Sequence, residues 1–247
     1  MPRYKLVLEY DGTGLVGWQR QTNGLSVQEI LETAVERFCG EHATVHGAGR
    51  TDAGVHALGQ AAHVDLPKPS DPEVIRGALN HHVRPHAVGV LAVEPVSEHF
   101  NARTSARARH YRYRILNRRA PAVLERDRVW HVGPPLDVEA MQEGARHLLG
   151  KHDFSTFRDA LCQAKSPVKT LDVLDVARQG EEVAVEARAR SFLHHQVRNM
   201  VGTLKLVGLG KWSPAHVLRA LDARDRRAGG PTAPPQGLYL VEVVYLK

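Results

Sequence analysis

The pattern of apolar and polar positions predicts an alternation of strands and helices along the chain. Residues 4–10 alternate as a strand does, and a helical period follows Ser26, with Glu29 three residues later in the spacing of a capping box. The apolar face of this helix consists of Ile30, Ala34, Val35 and Phe38. Gly40 marks its expected end.

Two more strands, a second helix and a further strand complete the first part of the chain. Segments 43–49 and 58–66 have strand character, a helix follows the cap Ser70 with Pro72 in its first turn, and residues 86–96 form the next strand. The order β-α-β-β-α-β over roughly the first 100 residues is that of a ferredoxin-like fold.

The second part of the chain is again a mixture of strands and helices. Helices are predicted at 137–149, 194–209 and 213–222, and strands at 109–116, 169–177, 182–190 and 237–246. The Gly- and Pro-rich segment 224–236 is predicted to be an exposed loop. We therefore expect an α+β protein of two halves: residues 1–105, which have the ferredoxin-like order, and residues 106–247, which mix strands and helices.

The composition favours a globular protein that neither spans a membrane nor depends on disulfides. The chain of 247 residues is 43% apolar. Its longest apolar runs are far shorter than the roughly 20 residues that span a bilayer. Its start lacks the apolar core and cleavage site of a signal peptide, so a cytoplasmic protein is expected. The two cysteines, Cys39 and Cys162, are too few for a disulfide framework or a cysteine-rich zinc site.

The distribution of charge indicates a polyanionic partner. The net charge is +6, and no Asp or Glu occurs from His99 to Leu124, although this segment is rich in arginine. Its arginines are Arg103, Arg107, Arg109, Arg112, Arg114, Arg118 and Arg119. A solvated face usually mixes charges, and the planar guanidinium suits phosphate because it donates two hydrogen bonds together. A genomic bias towards arginine codons is the alternative explanation.

The stretch GAGRTDAGVHALGQ, residues 47–60, is the first candidate site. It sets Arg50, Asp52 and His56 among glycines between two predicted strands. A phosphate cradle is disfavoured because the stretch has neither GxxxxGK[ST] nor GxGxxG, and because a carboxylate repels phosphate. A metal site is disfavoured because Asp52, His56 and His63 match no known ligand spacing.

Two interpretations of Asp52 stay open. A carboxylate in a cleft can act as a nucleophile or a base, and a neighbouring guanidinium keeps it ionised. Glycines would let a ligand approach the backbone closely. Asp52 can equally cap its own loop in an Asx-turn, in which case its role is structural.

The strand RARHYRYRIL, residues 107–116, is the second candidate site. Period 2 divides it into a face of His110, Arg112 and Arg114 and a face of Tyr111, Tyr113 and Ile115. The tyrosines either belong to the core or offer a base a surface for stacking, beside arginines such as Arg109 and Arg112 that hold phosphates. The residues alone favour neither interpretation.

The stretch SFLHHQVRNMVGTLKLVGLG, residues 191–210, is the third candidate site. Arg198 lies on a helix that is otherwise apolar enough to be buried. A buried arginine needs a carboxylate partner, whereas a surface arginine extends its stem over apolar neighbours. His194 and His195 are adjacent and cannot share one helix face, so we interpret them as a helix start and not as a metal pair.

Together these stretches resemble the tRNA pseudouridine synthase A family. The matching segments lie in order and cover nearly the whole chain. They are YDGTGLVGWQRQ (10–21), SVQEILE (26–32), GAGRTDAGVHALGQ (47–60), FNARTSARARHYRYRIL (100–116), GKHDFSTFR (150–158), FLHHQVRNMVG (192–202) and GLYLVEVVY (237–245). The RTDAGVH block is specific, and its occurrence with RHYRYRI and HHQVRNMVG rules against a chance match.

The resemblance implies a reaction, an architecture and partners. The family isomerises uridine to pseudouridine at positions 38, 39 and 40, in the anticodon stem-loop of tRNA, without a cofactor or a metal. It also implies a homodimer. Each subunit is expected to have two ferredoxin-like halves whose antiparallel or mixed sheets join across a central catalytic cleft.

The resemblance also implies roles for individual residues. Asp52 is the expected catalytic aspartate, and Arg50 in the same motif is expected to contact the RNA near the target nucleotide. Tyr111 is expected to stack on the target base and to assist proton removal at C5. Arg198 is expected to pair with Asp52, and Leu238 to form part of the apolar wall around the base.

The sequence departs from the family's pattern at two places. Gln196 stands where the family often has methionine, and residues 14–16 replace a more usual polar-aromatic stretch. These changes bear on packing and RNA fit.

Two other classes of protein are alternatives to the synthase. A non-catalytic RNA-binding protein or tRNA chaperone is one rival class. A metal-dependent nuclease that uses Asp52 and the histidines is the other.

Overall fold

The computed structural model describes residues 1–246, and they form two compact units. The first unit is Met1–Arg107 together with the described residues from Tyr239 onward, and the second is Ala108–Leu238. Each unit contains strands and helices, so the protein is of the α+β class that the sequence predicted.

The first unit has the predicted order β-α-β-β-α-β. Its elements are β1 (Arg3–Tyr10), α1 (Val27–Cys39), β2 (His46–Gly47), β3 (His56–Asp65), α2 (Pro72–His82) and β4 (Val88–Val96). Strand β1 lies between β4 and β3, antiparallel to both, and β2 pairs with β3. The last strand, β10 (Leu238–Val244), runs parallel to β3 through the pairs Tyr239–His56 and Leu240–Ala57.

The ends of the helices in this unit follow local hydrogen bonding. Ser26 caps α1 as predicted, since its side chain accepts the Glu29 N–H, and Gly40 ends the helix in the left-handed conformation. The Glu29 carboxylate, which would complete a capping box, lies 3.7 Å from the Arg20 guanidinium. The cap predicted for α2, Ser70, was wrong by one residue: Asp71 accepts the Glu73 N–H.

Strand β2 is much shorter than the predicted strand 43–49. The N–H of Val45 donates to the buried carboxylate of Glu32, at 3.1 Å, instead of joining the ladder. Glu32 also accepts from Gln28 at 3.0 Å, so a buried polar network takes the place of strand pairing at this point. The ladder with β3 begins at His46 and Gly47, which pair with His63 and Ala62, and the Ala48 N–H then donates to the Ala61 carbonyl at 2.7 Å.

The second unit contains three helices and a mostly antiparallel sheet. Its elements are β5 (Ala108–Asn117), β6 (Trp130–Val132), α3 (Val138–Arg146), β7 (Gly150–Asp153), β8 (Val168–Gln179), β9 (Glu182–Ala189), α4 (Gln196–Gly208) and α5 (Pro214–Ala223). The strands are ordered β5-β9-β8-β7, and the short β6 runs parallel to β5. Helix α3 packs against β8, α4 and α5. None of the helices within residues 1–246 is long and apolar enough to cross a bilayer.

The predicted helices and long strands of this unit are confirmed, whereas β6 and β7 were not predicted. The prediction that 224–236 is an exposed loop was wrong in part, because Gly230 and Ala233 are buried against α4. A Cβ on Gly202 of α4 would collide with the carbonyl oxygen of Pro231, so this loop can lie on the helix only where the helix has a glycine.

A buried histidine gives the first unit a specific response to acid. His63 on β3 is 2% exposed, and its Nδ1 accepts the Ala102 N–H at 3.2 Å. Burial, together with the charges of Arg3 and His46, lowers the pKa of His63 to about 4, although Asp65 opposes the shift. The folded protein therefore keeps this ring neutral at pH values where an unfolded chain would protonate it.

We predict that this histidine makes the protein less stable as the pH falls from about 6.5 to about 4. In that window the unfolded state binds a proton at His63 that the folded state does not, which favours unfolding by on the order of 1–3 kcal/mol. His63→Asn keeps an acceptor for the Ala102 N–H and cannot titrate, so urea unfolding should depend less on pH. The exposed His99 provides the matched control, His99→Asn. An unchanged pH slope in His63→Asn would contradict the prediction.

Candidate active site

The loop that carries Asp52 is held by the chain that follows β1. Asp52 is half-buried between β2 and β3. The Trp18 N–H donates to the Thr51 carbonyl at 3.0 Å, and the Gly54 N–H donates to the Leu15 carbonyl at 3.4 Å. Main-chain bonds on both sides of Asp52 therefore tie its loop to residues 15–18.

Two glycines make this close approach possible. A Cβ on Gly12 would collide with the carbonyl oxygen of Val55, and one on Gly17 would collide with the carbonyl oxygen of Thr51. Gly17 also has φ +100°, a conformation that residues with a side chain rarely adopt. Gly12 and Gly17 of YDGTGLVGW thus serve the packing of one backbone against the other.

A buried polar network supports the same loop from the core. The Tyr10 and Thr51 hydroxyls lie 2.9 Å apart, and the Gln60 amide donates to the Gly49 carbonyl at 2.8 Å. Burial raises the pKa of Tyr10 to about 12, although its bonds to Thr51 and Gln60 oppose the rise. Tyr10 therefore stays a neutral hydrogen-bonding group at physiological pH.

His56, at the start of β3, contacts both the chain after β1 and strand β10. Its Nδ1 accepts the Gly12 N–H at 3.0 Å and lies 3.1 Å from the Asp11 carboxylate. Its ring stacks on Tyr239, with centroids 4.7 Å apart. His56 is 2% exposed, so it acts as a buried connection between β3, the loop after β1 and β10.

The main chain around Asp52 bears on the choice between a turn cap and a catalyst. The Val55 N–H donates to the Asp52 carbonyl at 3.1 Å, and the Gly54 N–H is already bonded to Leu15. An Asx-turn would have used the Gly54 N–H for the side chain of Asp52. The main chain therefore closes this turn through carbonyl oxygens. Arg50, two residues earlier, is exposed.

Strand β5 has the predicted two faces. Tyr111, Tyr113 and Ile115 are buried, whereas His110, Arg112 and Arg114 are only half-buried. The Tyr111 ring meets the edge of Phe192, with centroids 5.2 Å apart and planes at 90°. The Tyr113 hydroxyl donates to the Pro234 carbonyl at 2.7 Å.

The segment 99–124 carries only positive charges, but in the folded unit carboxylates from another strand lie against its arginines. Glu186 on β9 binds both Arg112 and His110, with 2.7 Å to the histidine Nε2. Arg114 binds Glu182 at 2.7 Å. The carboxylates come from β9, so the absence of acids within 99–124 did not reveal them. Part of the positive charge assigned to polyanion binding is thus compensated within the unit.

Arg109 lies on the tyrosine side of the strand. It is 8% exposed, and its Nη1 donates to the Arg190 carbonyl at 2.6 Å. This bond ties the beginning of β5 to the end of β9.

Arg198 lies in the first turn of α4 and is anchored at one of its nitrogens. Its Nε donates to the Ala233 carbonyl at 2.8 Å, and the Ala233 N–H returns a bond to the Arg198 carbonyl at 3.1 Å. Arg198 is half-buried. The pairing of Arg198 with Asp52 stays a prediction.

His194 and His195 precede α4, as expected for a helix start. His195 is the N-cap residue and has φ 60°, so the two rings lie side by side with centroids 3.9 Å apart. The His195 Nδ1 lies 2.7 Å from the Asp159 carboxylate, which is hydrogen-bonding distance and leaves no space for an ion between the two atoms.

Leu238 begins β10 after a short 3₁₀ turn and is 6% exposed. A Cβ on Gly237 would press on the Tyr113 ring and on the Arg114 carbonyl, so the GLYL segment packs closely on β5. The buried setting suits the apolar role expected of Leu238.

The residues that support the candidate site were not assigned roles from the sequence. They are Tyr10, Gly12, Gly17, His56, Phe192 and Asp159. The glycine spacing in DGTGLVG was a visible signal of close backbone packing, whereas nothing in the sequence linked Asp159 to His195.

Comparison with known proteins identifies what the chain resembles. A family model described as tRNA pseudouridine synthase matches residues 6–104 and 145–246, which is well over half of the chain. Asp52, Arg198 and Leu238 lie within the matched ranges, and Tyr111 lies between them.

Several relatives match over nearly their whole length. A protein of Paramagnetospirillum magneticum named tRNA pseudouridine synthase A is 64% identical over 245 residues, which cover 99% of this chain and 96% of the relative. Proteins of the same name from Rhodospirillum centenum and Parvibaculum lavamentivorans are 63% and 57% identical, each over 99% of this chain and 100% of the relative.

We predict that Gly17→Ala destabilises the protein much more than Gly14→Ala. Both glycines have positive φ, +100° and +75°, so both variants incur the strain of a side chain in this region, about 1–2 kcal/mol. Only at Gly17 would the new Cβ also collide with the loop that carries Asp52, which should add about 2 kcal/mol or more. Urea unfolding of the two variants measures the difference. Equal losses would show that the close approach of the two loops contributes nothing to stability.

Proposed function

Because the chain belongs to the tRNA pseudouridine synthase family, we propose that it isomerises uridine to pseudouridine at positions 38, 39 and 40 of the tRNA anticodon stem-loop. Family membership makes it an isomerase that acts on tRNA. Asp52 is the proposed catalytic nucleophile or base. The observation that supports this role is the tightly held loop: main-chain bonds at Gly54 and Val55 fix the backbone around Asp52, so its side chain starts from a defined position.

The proposed reaction breaks the N1–C1′ bond, turns the uracil and joins C5 to C1′. No electrons are gained or lost, so the chemistry requires no redox cofactor. The target base has to leave its stack, which costs on the order of a few kcal/mol. Stacking on an aromatic ring such as Tyr111 returns roughly 1–3 kcal/mol.

Asp52 has three chemical routes open to it. It can attack C1′, remove the 2′ proton to give a glycal, or add to C6 of the uracil. Each route begins with an ionised carboxylate, and each ends with loss of the C5 proton, for which Tyr111 or a water is the proposed acceptor.

The other proposed contacts follow from side-chain chemistry. Arg198 would keep Asp52 ionised and aimed, an effect of preorganised charge. Arg50 is exposed and suited to a phosphate or a base edge near the target nucleotide. Leu238 would border the uracil, and Arg109 and Arg112 would bind the RNA, with Glu186 competing for Arg112.

The cytoplasmic location, the homodimer and the absence of a cofactor stay predictions. A non-catalytic RNA-binding protein or tRNA chaperone is the alternative function, since the same arginines would serve it. The family favours the enzyme, because the relatives named above are synthases.

We predict that the wild-type protein releases tritium from tRNA carrying 5-tritiated uracil, and that EDTA does not prevent the release. Asp52→Asn should lower the rate at least about 1,000-fold, because the variant lacks the group that starts each route. Binding of tRNA, measured by filter retention, should persist in the variant. The exposed Asp222 offers a matched control, Asp222→Asn, which should release tritium at the wild-type rate.

Two results would refute the proposal. A folded wild-type protein that binds tRNA without releasing tritium would be the non-catalytic alternative. Shortened RNA whose formation stops in EDTA would indicate a nuclease. Mapping the pseudouridines formed in the treated tRNA tests positions 38, 39 and 40 directly.

A further inference from the structure

The segment that follows the 3₁₀ turn Ser155–Phe157 is bonded to the start of α4 at three points. The Asp159 N–H donates to the His194 carbonyl at 3.1 Å, the His194 N–H points to Cys162 Sγ at 3.4 Å, and the Asp159 carboxylate binds His195 Nδ1 at 2.7 Å. Arg158 stabilises the segment from within, since its Nη2 donates to the carbonyls of Cys162 and Ala164. These contacts all lie within the second unit.

The backbone at His195 explains why such an attachment is needed. His195 has φ 60°, a left-handed conformation that a residue with a side chain rarely adopts. As the N-cap of α4 it makes no side-chain bond to the helix. A strained residue at a helix start persists only if its surroundings hold it there. Asp159 supplies this hold through both its N–H and its carboxylate.

The ionisation of Asp159 determines which atom donates in its hydrogen bond to His195. Burial raises the pKa of Asp159, but the Leu161 N–H, the bond to His195 and the nearby histidines outweigh burial, so the pKa is below its usual value. Asp159 is therefore ionised at neutral pH and can only accept. The His195 Nδ1 then carries the proton, and His194 Nδ1 lies 3.7 Å from the same carboxylate.

Helix α4 transmits this attachment to Arg198, which is three residues after His195. The Arg198 Nε is bonded to the Ala233 carbonyl, and Asn199 beside it donates to the Phe157 carbonyl at 2.9 Å. With the helix start held by Asp159 and the guanidinium held at Nε, the direction of the remaining guanidinium nitrogens is determined. A helix start released from Asp159 would turn Arg198 away from that direction.

We propose that Asp159 is a positioning residue for the isomerisation: acting through His195, it sets the start of α4 and thereby aims Arg198. This inference rests on the proposed function, in which Arg198 serves the reaction. Asp159 itself binds no substrate atom in this scheme. Its loss should therefore slow the chemical step without weakening the binding of tRNA.

The test compares variants in single-turnover tritium release at saturating protein, with tRNA affinity measured separately. Asp159→Ala should lower the single-turnover rate constant about 100-fold, as expected of a misplaced catalytic group, and leave the affinity for tRNA unchanged. Asp159→Asn keeps an oxygen that accepts from His195 Nδ1 and should recover part of the rate. Asp172→Asn, on the exposed side of β8, is the control that should behave as wild type.

His195→Asn separates the imidazole from the backbone conformation. Asparagine tolerates the left-handed region and caps helices well, so it preserves the helix start but cannot reach Asp159 in the same way. If the hydrogen-bonded pair aims Arg198, His195→Asn is slow, and the double variant with Asp159→Ala is no slower than the slower single variant. A fast His195→Asn would show that only the backbone matters and would overturn the proposal.

The remaining outcomes are equally decisive. A wild-type rate in Asp159→Ala overturns the inference while the proposed function stands. Loss of tRNA affinity with an unchanged rate constant would assign the histidines to RNA binding and also overturns it. An inactive wild type would refute the proposed function itself, and nitrogen NMR of His195 would still show whether Asp159 holds the proton on Nδ1.

Discussion

The candidate site depends first on the close approach of two backbones in the first unit. The chain after β1 lies so near the loop of Asp52 that the positions facing Val55 and Thr51 admit no side-chain atom. Glycine at positions 12 and 17 removes the collision, and main-chain hydrogen bonds then join the two loops. A loop joined in this way has few alternative conformations, so Asp52 is held by the backbone on both sides.

Rigidity of this kind suits a reaction that is proposed to use no cofactor. When side chains alone provide the catalysis, the rate depends on how well their charges are aimed before the substrate arrives. Holding side chains in this way requires backbone strain close to the site. His195 has positive φ and begins the helix that carries Arg198 three residues later. Such conformations persist because hydrogen bonds and packing around them outweigh the strain.

How much could be predicted from the sequence differs between local and non-local features. Features set by neighbours along the chain were predictable: the cap at Ser26, the two faces of β5 and the start of α4 near His194 and His195. Features set by distant residues were not. The glutamates of β9 that bind the arginines of β5 are about 70 residues away, and nothing in the local pattern announces a cross-strand partner. The loop 224–236 has the composition of an exposed turn, yet Gly202 creates the space in which it is buried.

The turns around Asp159 and Asp52, the two aspartates of greatest interest, are closed by different groups. The Asp159 carboxylate accepts from the Leu161 N–H and from His195 Nδ1, so it holds its own turn and the start of α4. Around Asp52 the main chain closes the turn by itself, with Val55 and Gly54 bonded to carbonyl oxygens. A loop that is tightly held by its main chain presents its carboxylate in a defined direction, which suits a role in binding or chemistry. The N–H groups two residues after each aspartate show this difference: the Leu161 N–H donates to the Asp159 carboxylate, whereas the Gly54 N–H donates to the Leu15 carbonyl.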